Sequence, residues 1–369
     1  MNKLNILLVN GSSPPMRCGV GVYGYKLLLR ITSLCNAALL TTGTLQDKST
    51  DTPRRTVSNW KIRSLPKILL HIKSANPDIV HIQYPAVGYK RELGINLLPL
   101  ALRLTTKRKI IVTLHEYYGS AMLGKIRNLL TILFAQKVIV SNEYDHHALP
   151  KFLRKKTVVV RIGPTITKQE PHHQTFKKLL ETAHFTPTLP TVVNFGFVNP
   201  SKGIHILIQA MPFIHAQLIL VCELSKDNSY HQRILDLIKT ARKQGAQIFI
   251  TGYLEDKQLS EILQECSIFV LPQPLPLTAK SSTAIVATEH GLPVIATAAA
   301  NKLFNQPFNE NNSVLLHGMS AKNLTDACNM LLSDPKKIHS IRQHNAELTK
   351  NFSWDTITQQ HIKTYRSML

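Results

Sequence analysis

The chain has 369 residues, 44% of them hydrophobic, enough for two ordinary α/β domains whose cores need no disulfide support. It contains no run of 18 apolar residues, which argues against a membrane-spanning helix. Its net charge of +22 is lopsided: residues 1–185 hold 28 Lys and Arg against 9 Asp and Glu, a balance of +19, and the remainder only +3. Such a field attracts an anionic partner: phospholipid, lipid phosphate or nucleic acid.

Lys3 is followed by only six mostly apolar residues, 4–9, which end in a Gly-Ser-Pro loop. That pattern reads as a buried strand rather than a secretory signal. Further strands are predicted at 38–41, 79–83, 110–114, 138–141 and 158–161, the last stopped by Gly163-Pro164. Residues 165–190 are polar and read as an interdomain linker with a short helix. The pattern then restarts, with strands at 191–196, 217–221, 248–251, 268–271 and 294–296. Helices are predicted at 204–211, 231–244, 256–265, 283–290 and 321–333, and residues 354–369 close the chain as a helix. This alternation predicts two α/β halves with parallel sheets and a ligand cleft between them. The expected division is 1–170, a linker at 171–190, 191–350, and a terminal segment at 351–369.

The five cysteines (Cys18, Cys35, Cys222, Cys266 and Cys328) form no C-x-x-C pair. Their odd number and wide scatter suggest reduced thiols in a cytosol. Histidines are adjacent only at His146–His147 and His172–His173, neither with a third ligand at metal spacing, so no metal is expected.

Gly19-Val20-Gly21-Val22-Tyr23-Gly24 fits G-x-G-x-x-G literally. A dinucleotide fingerprint should begin as the first strand ends, but about nine loop residues intervene here. No acidic residue closes the second strand either. The segment reads instead as a glycine-rich loop before a helix at about 23–31, its amides approaching donor phosphates or an acceptor. An ordinary tight turn is the other reading. Residues 194–203, Asn-Phe-Gly-Phe-Val-Asn-Pro-Ser-Lys-Gly, are more specific. A strand ends at Gly196, and Lys202-Gly203 opens a helix, where lysine and helix dipole together can neutralise a diphosphate. A plain surface lysine is the alternative.

This last segment resembles the strand–loop–Lys-Gly helix of family 4 glycosyltransferases. Other stretches resemble that family in the same order: strand 6–10 with its Gly19-Val20-Gly21 loop, Pro77-Asp78-Ile79-Val80-His81-Ile82-Gln83, Val112-Thr113-Leu114-His115-Glu116, Gly291-Leu292-Pro293-Val294-Ile295-Ala296-Thr297, and Phe352-Ser353-Trp354 with its helix. The resemblance implies a GT-B fold, two Rossmann-like domains facing a central cleft, with the C-terminal helix crossing back to the N-terminal domain. It implies a nucleotide-diphosphate sugar as donor substrate, no essential metal, and retention of configuration. It places Gly21, Gly196, Lys202 and Gly203 on the donor side, and Gly19, Val20, Tyr23 and Glu116 on the acceptor side. His115, at the end of a buried strand, would bond the transferred sugar or assist the acceptor; a core histidine with a buried partner is the plainer reading. Since no side-chain nucleophile is expected, stabilising the departing diphosphate is the main catalytic term, a role for Lys202 and Lys280.

The sequence departs from the family at two glutamates that usually precede the Gly-Leu-Pro run: Thr278 and Val286 stand there. Phe197 also replaces an arginine. Lys280-Ser281-Ser282-Thr283 opens a helix instead, with Lys280 placed to meet the diphosphate and Ser282 or Thr283 to cap the helix or bind phosphate. Glu289, on the face of Val286, could take over a donor hydroxyl contact or be merely structural. In the basic half, residues 95–104 followed by Lys107-Arg108-Lys109, and residues 121–134 with Lys125 and Arg127, are candidate amphipathic helices on anionic lipid. Each could equally pack on the sheet.

The combined expectation is a hexosyltransferase-like enzyme of surface polysaccharide, lipopolysaccharide or glycolipid synthesis. It would be cytoplasmic and peripheral on the cytoplasmic membrane face, with a lipid-linked or glycan acceptor. A GT-B-fold binding protein that has lost catalysis is the alternative. Nucleic acid is not expected, because no recognised motif or aromatic platform accompanies the charge.

Overall fold

The computed structural model describes residues 3–16, 18–43, 52–170 and 174–369. They form two compact units. One comprises residues 1–163 with 353–369; the other comprises 164–352.

The first unit is built on seven parallel strands: β1 (Asn5–Asn10), β2 (Asn36–Thr42), β3 (Arg54–Val57), β4 (Ile79–Tyr84), β5 (Lys109–Leu114), β6 (Lys137–Val140) and β7 (Thr157–Val159). Their order across the sheet is β3-β2-β1-β4-β5-β6-β7, the doubly wound arrangement with its switch between β1 and β4. β1 and β4 are covered on both faces, and such strands read as near-continuous apolar runs. β3, with its Arg54-Arg55, has the look of a charge cluster in sequence. It sits at the sheet edge and is mostly half-exposed or exposed, so no apolar run announced it.

The helix after β1 spans Gly19–Ile31, with Cys18 at its N-cap accepting from the Gly21 amide. It starts four residues before the predicted 23, so Gly19, Val20 and Gly21 form its first turn rather than a loop. Gly21 is buried because the helix lies directly on the β1 loop: a Cβ there would come within 2.9 Å of the Ser12 Cβ. Asn10 Nδ2 donates to the Gly21 carbonyl. The close approach accounts for this glycine, and contact with a donor phosphate is not needed to explain it.

The closing helix, Trp354–Arg366, belongs to this first unit. Trp354, Ile357, Ile362 and Tyr365 are buried in the same apolar cluster as Ile6, Leu8, Tyr23, Leu27 and Ile111. Each such side chain contributes about 1.5–3 kcal/mol of transfer free energy, ample to hold a 13-residue helix to the sheet.

The two helices expected on lipid behave differently. Gly94–Thr105 packs Ile95, Leu98, Pro99 and Leu102 fully into the core and is an ordinary sheet-covering helix. Met122–Leu133 buries only Asn128, Thr131 and Ile132. Its outer side shows Met122 at 75% exposure, Leu123 at 76% and Ile126 at 55%. A polar seam joins the pair, with Asn96 Nδ2 donating to Thr131 Oγ1 at 2.7 Å.

The second unit has six parallel strands: β8 (Thr191–Phe195), β9 (Gln217–Val221), β10 (Ile248–Ile250), β11 (Ile268–Val270), β12 (Val294–Thr297) and β13 (Ser313–Leu316). Their order is β10-β9-β8-β11-β12-β13, the same winding as the first sheet with its switch between β8 and β11. The predicted linker is attached to this unit. The Gln169 amide donates to Ser260 Oγ, the Thr175 amide to Glu261 Oε2, and the Thr186 amide to Gln217 Oε1. The helix Gln174–Ala183 packs there on Asp256–Glu265. Helix Pro335–Lys350 escaped prediction because Ile341 is the one apolar residue it buries, too little to set a periodic stripe.

Candidate functional site

At the carboxyl edge of the second sheet, four of the predicted donor residues, Gly196, Lys202, Gly203 and Thr283, come together; Gly21 belongs to the first unit. β8 ends at Phe195, and the chain turns at Gly196. Asn199 caps a 3-10 turn, Pro200–Lys202, through the Ser201 amide. Gly203 then begins the helix Ile204–Ala210. Its φ of 67° lies in the left-handed region, and a Cβ would strike the Pro272 carbonyl, so the site requires glycine. Half-buried Lys202 extends its Nζ to 3.4 Å from Gln273 Oε1. The Gln273 carbonyl accepts from Thr297 Oγ1 at 2.6 Å. Gln273 and Thr297 were not foreseen as site residues; their one signal is that each lies at or just beyond a strand's carboxyl end.

Thr283 reaches the same place, its Cγ2 standing 3.5 Å from where a Gly196 Cβ would be. It opens the helix Ser282–Glu289 with Ser282. Ser281 occupies the N-cap and makes no side-chain cap bond. Neither Ser282 nor Thr283 caps this helix, since both are already inside its first turn. Lys280 lies in the preceding turn, its amide bonded to Thr278 Oγ1. Positive charge, turn backbone and a helix N-terminus thus share one edge, a combination suited to a diphosphate.

Glu289 does not join them. It lies at the other end of its helix, in a cavity of about 580 Å³ lined by Lys168, Gln264, His290 and Arg342. Burial pushes its carboxyl above the usual range, against the pull of the Lys168 amide and charge. Helices of a parallel sheet run opposite to the strands, so a residue at a helix C-terminus faces away from the strands' carboxyl ends. Neighbouring His290 donates to or accepts from Ser260 Oγ at 2.8 Å. Burial holds its imidazole down at about 4.

In the first unit, His115 follows β5 and is buried, its Nε2 2.8 Å from Gln83 Oε1. Gln83 Nε2 lies 3.1 Å from His81 Nε2, which also faces Thr113 Oγ1 at 2.7 Å. His81 Nδ1 is 2.8 Å from the Tyr365 hydroxyl of the closing helix. Burial, with His361 and His115 nearby, drives the His81 imidazole well below its ordinary value. Tyr23 is buried edge-on to His115, with ring centroids 5.1 Å apart, and its hydroxyl meets His361 Nε2 at 2.9 Å. The hydroxyl is therefore engaged in the core and not presented to an acceptor. Glu116 Oε1 accepts from the Gly119 amide, which shapes the loop after β5. Gly19 is exposed and Val20 half-exposed at the opening helix's first turn.

Among the described residues, no group of three His, Cys, Asp or Glu side chains lies close enough to hold a metal ion. His146 and His147 pack ring against ring at 5.4 Å; His172 and His173 lie outside the described residues. The five cysteines are free and buried. No described helix is long and apolar enough to cross a membrane.

Residues 189–334 match the family model described as glycosyl transferases group 1. The second unit carries a group 1 glycosyltransferase domain. A glycosyltransferase from Rickettsia africae is 19% identical and aligns over 100% of this chain and 99% of its own, with a TM-score of 0.79. Anabaena HepE, solved in complex with UDP, is 18% identical over 100% of both chains, with a TM-score of 0.78. Sucrose-phosphate synthase from Thermosynechococcus elongatus is 19% identical over 98% of both, at 0.71. At such identities the likeness is one of fold, the GT-B type with two Rossmann-like domains. No curated protein sequence matches the chain. The group 1 domain contains Gly196, Lys202, Gly203, Gln273, Lys280, Thr283 and Thr297, so the whole clustered edge falls inside the matched residues.

Proposed function

We propose that this glycosyltransferase takes a uridine-diphosphate sugar as donor and passes the sugar to a glycan or lipid-linked acceptor at an anionic membrane surface. The observation that carries the donor half is the convergence of Lys202, the Gly203 turn and Thr283 beside Gly196 at one sheet edge. That Anabaena HepE was solved with UDP and with UDP-glucose supports the uridine donor. Lys202 and Lys280 neutralise the departing diphosphate, a contribution of about 3 kcal/mol or more, with no metal assigned to the task. His115 contacts the transferred sugar, and Gly19 and Val20 stand on the acceptor side. Retention of configuration is part of the proposal and rests on the sequence resemblance alone.

The acceptor half rests on the +19 balance of residues 1–185 and on the exposed Met122, Leu123 and Ile126 beside Lys125 and Arg127. Apolar side chains with flanking cations suit a helix lying in an anionic interface. The protein would then act from the cytoplasmic membrane face.

The test is a screen of nucleotide sugars for hydrolysis and transfer, with Lys202→Ala and His115→Ala beside the wild type. One uridine donor turned over, with transfer reduced in both variants, is the expected result; full activity in both overturns the assignment. A binding protein without chemistry is favoured by one observation. Where the family usually has carboxylates, Val286 is fully buried and the Thr278 hydroxyl accepts from the Lys280 amide. That reading predicts nucleotide binding with no sugar released from any donor.

A further inference from the structure

We propose that Gln83 is a positioning residue whose side-chain amide holds His115 as the Nε2–H tautomer, leaving the lone pair of that ring on Nδ1. The tautomer is a property of the folded chain. Only its catalytic consequence rests on the glycosyltransferase reading.

The strand register brings the parts together. Gln83 pairs with Thr113 across β4 and β5. His81, two residues before Gln83, and His115, two residues after Thr113, therefore share their face of the sheet. Gln83 is fully buried, so its amide must find its partners inside the protein. Its oxygen can only accept. The His115 Nε2 at 2.8 Å therefore carries the hydrogen. Its nitrogen can only donate, so the His81 Nε2 at 3.1 Å carries the lone pair. The Thr113 hydroxyl near that nitrogen can turn its proton to suit.

The chain continues behind His81. A neutral imidazole with its lone pair on Nε2 bears its hydrogen on Nδ1, which lies 2.8 Å from the Tyr365 hydroxyl. Burial keeps His81 neutral, so it cannot donate from both nitrogens. One amide therefore ties the two rings to opposite tautomers. Turning the amide over would reverse both at once and make His115 Nδ1 a donor. The closing helix supplies Tyr365 to this relay, so the residues that settle the state of His115 come from β4, β5 and the far end of the chain. A ring held this way carries its lone pair on Nδ1, so that any hydrogen bond made at that nitrogen is one it accepts.

The experiment is nitrogen NMR on the full chain labelled with ¹⁵N-histidine, with His115 and His81 assigned from the missing signals of His115→Gln and His81→Gln. In the wild type near neutral pH we expect His115 protonated on Nε2 and His81 on Nδ1. Gln83→Glu keeps an acceptor for His115 but offers His81 no donor. His115 should then retain its tautomer and titrate at higher pH, while His81 moves its hydrogen to Nε2. Gln83→Leu should leave His115 a mixture of both tautomers. If Gln83→Leu fails to fold, Gln83→Glu decides alone. A wild-type His115 protonated on Nδ1, or a His81 unchanged in Gln83→Glu, overturns the proposal. With a turned-over donor in hand, Gln83→Leu should lower kcat by about tenfold or more at unchanged donor KM. An unaltered kcat removes the catalytic consequence, while failure to find any donor touches only the glycosyltransferase reading.

Discussion

At the residue scale, the buried histidines make an acid-stability prediction. His361 lies fully buried, and burial holds its imidazole at about 3, far below the ordinary 6.5. His290 in the other unit is held at about 4. Unfolded rings take up a proton once the pH drops below about 6.5, whereas the folded ones do not until these lower values. Stability from keeping each ring neutral is thus complete above pH 6.5 and lost as pH falls towards the folded value. The loss is about 1.4 kcal/mol per pH unit for each ring. Calorimetry should show the melting of both units falling between about pH 6.5 and 4.5. His361→Phe should flatten this slope for the first unit, because it removes one of the rings that the unfolded chain protonates and the folded chain does not. A melting temperature indifferent to pH over that range would refute it. Gly203→Ala tests the site's backbone: the left-handed φ and the Pro272 carbonyl predict a loss of about 1–3 kcal/mol, measured by denaturant unfolding. Lys202 and Gly203 were legible in sequence because a strand end, a short loop and Lys-Gly form a local pattern. Gln273 and Gln83 were not, because their significance depends on strands distant in sequence being laid side by side.

At the element scale, the outer side of Met122–Leu133 is the feature most open to test. Leu123 and Ile126 are exposed, so Leu123→Asp with Ile126→Asp should change stability by no more than about 0.5 kcal/mol for each site. The pair should abolish flotation with vesicles of anionic phospholipid while leaving nucleotide binding intact. Flotation equal to that of the wild type would remove this helix from the membrane reading. The contrast with Gly94–Thr105 shows where sequence reading stops. Both segments are apolar with basic residues in or beside them, and only tertiary packing separates the helix that covers the sheet from the one with an uncovered side. Strand positions were largely legible as compact apolar runs. Edge strand β3 was not, because its half-exposed residues carry no such run; edge strand β13, Ser313–Leu316, was missed because three consecutive apolar residues are too short a stretch to stand out. The opening helix began earlier than its glycines suggested, since small residues there serve its contact with the β1 loop.

At the scale of the whole molecule, two sheets with the same winding order were legible as a pattern that stops and restarts near residue 190. The attachment of residues 164–190 to the second unit was not, because it depends on hydrogen bonds from a polar stretch to Ser260, Glu261 and Gln217. The return of residues 353–369 to the first unit has a direct consequence. Truncation after Phe352 strips Trp354, Ile357, Ile362 and Tyr365 from one core and leaves the other whole. Limited proteolysis should then degrade the first unit and spare a fragment of about residues 164–352. Equal protection of both units in the truncated chain would contradict that division.

The most direct test of the central claim is calorimetric titration of UDP and UDP-glucose into the intact protein and into Lys202→Ala. Removing a charge-assisted contact of about 1.5–3 kcal/mol predicts a roughly 10- to 100-fold weaker Kd for the variant, with the fold unchanged. Undiminished affinity in Lys202→Ala, or no binding by the wild-type chain at millimolar nucleotide, would contradict a donor site at the carboxyl edge of the second sheet.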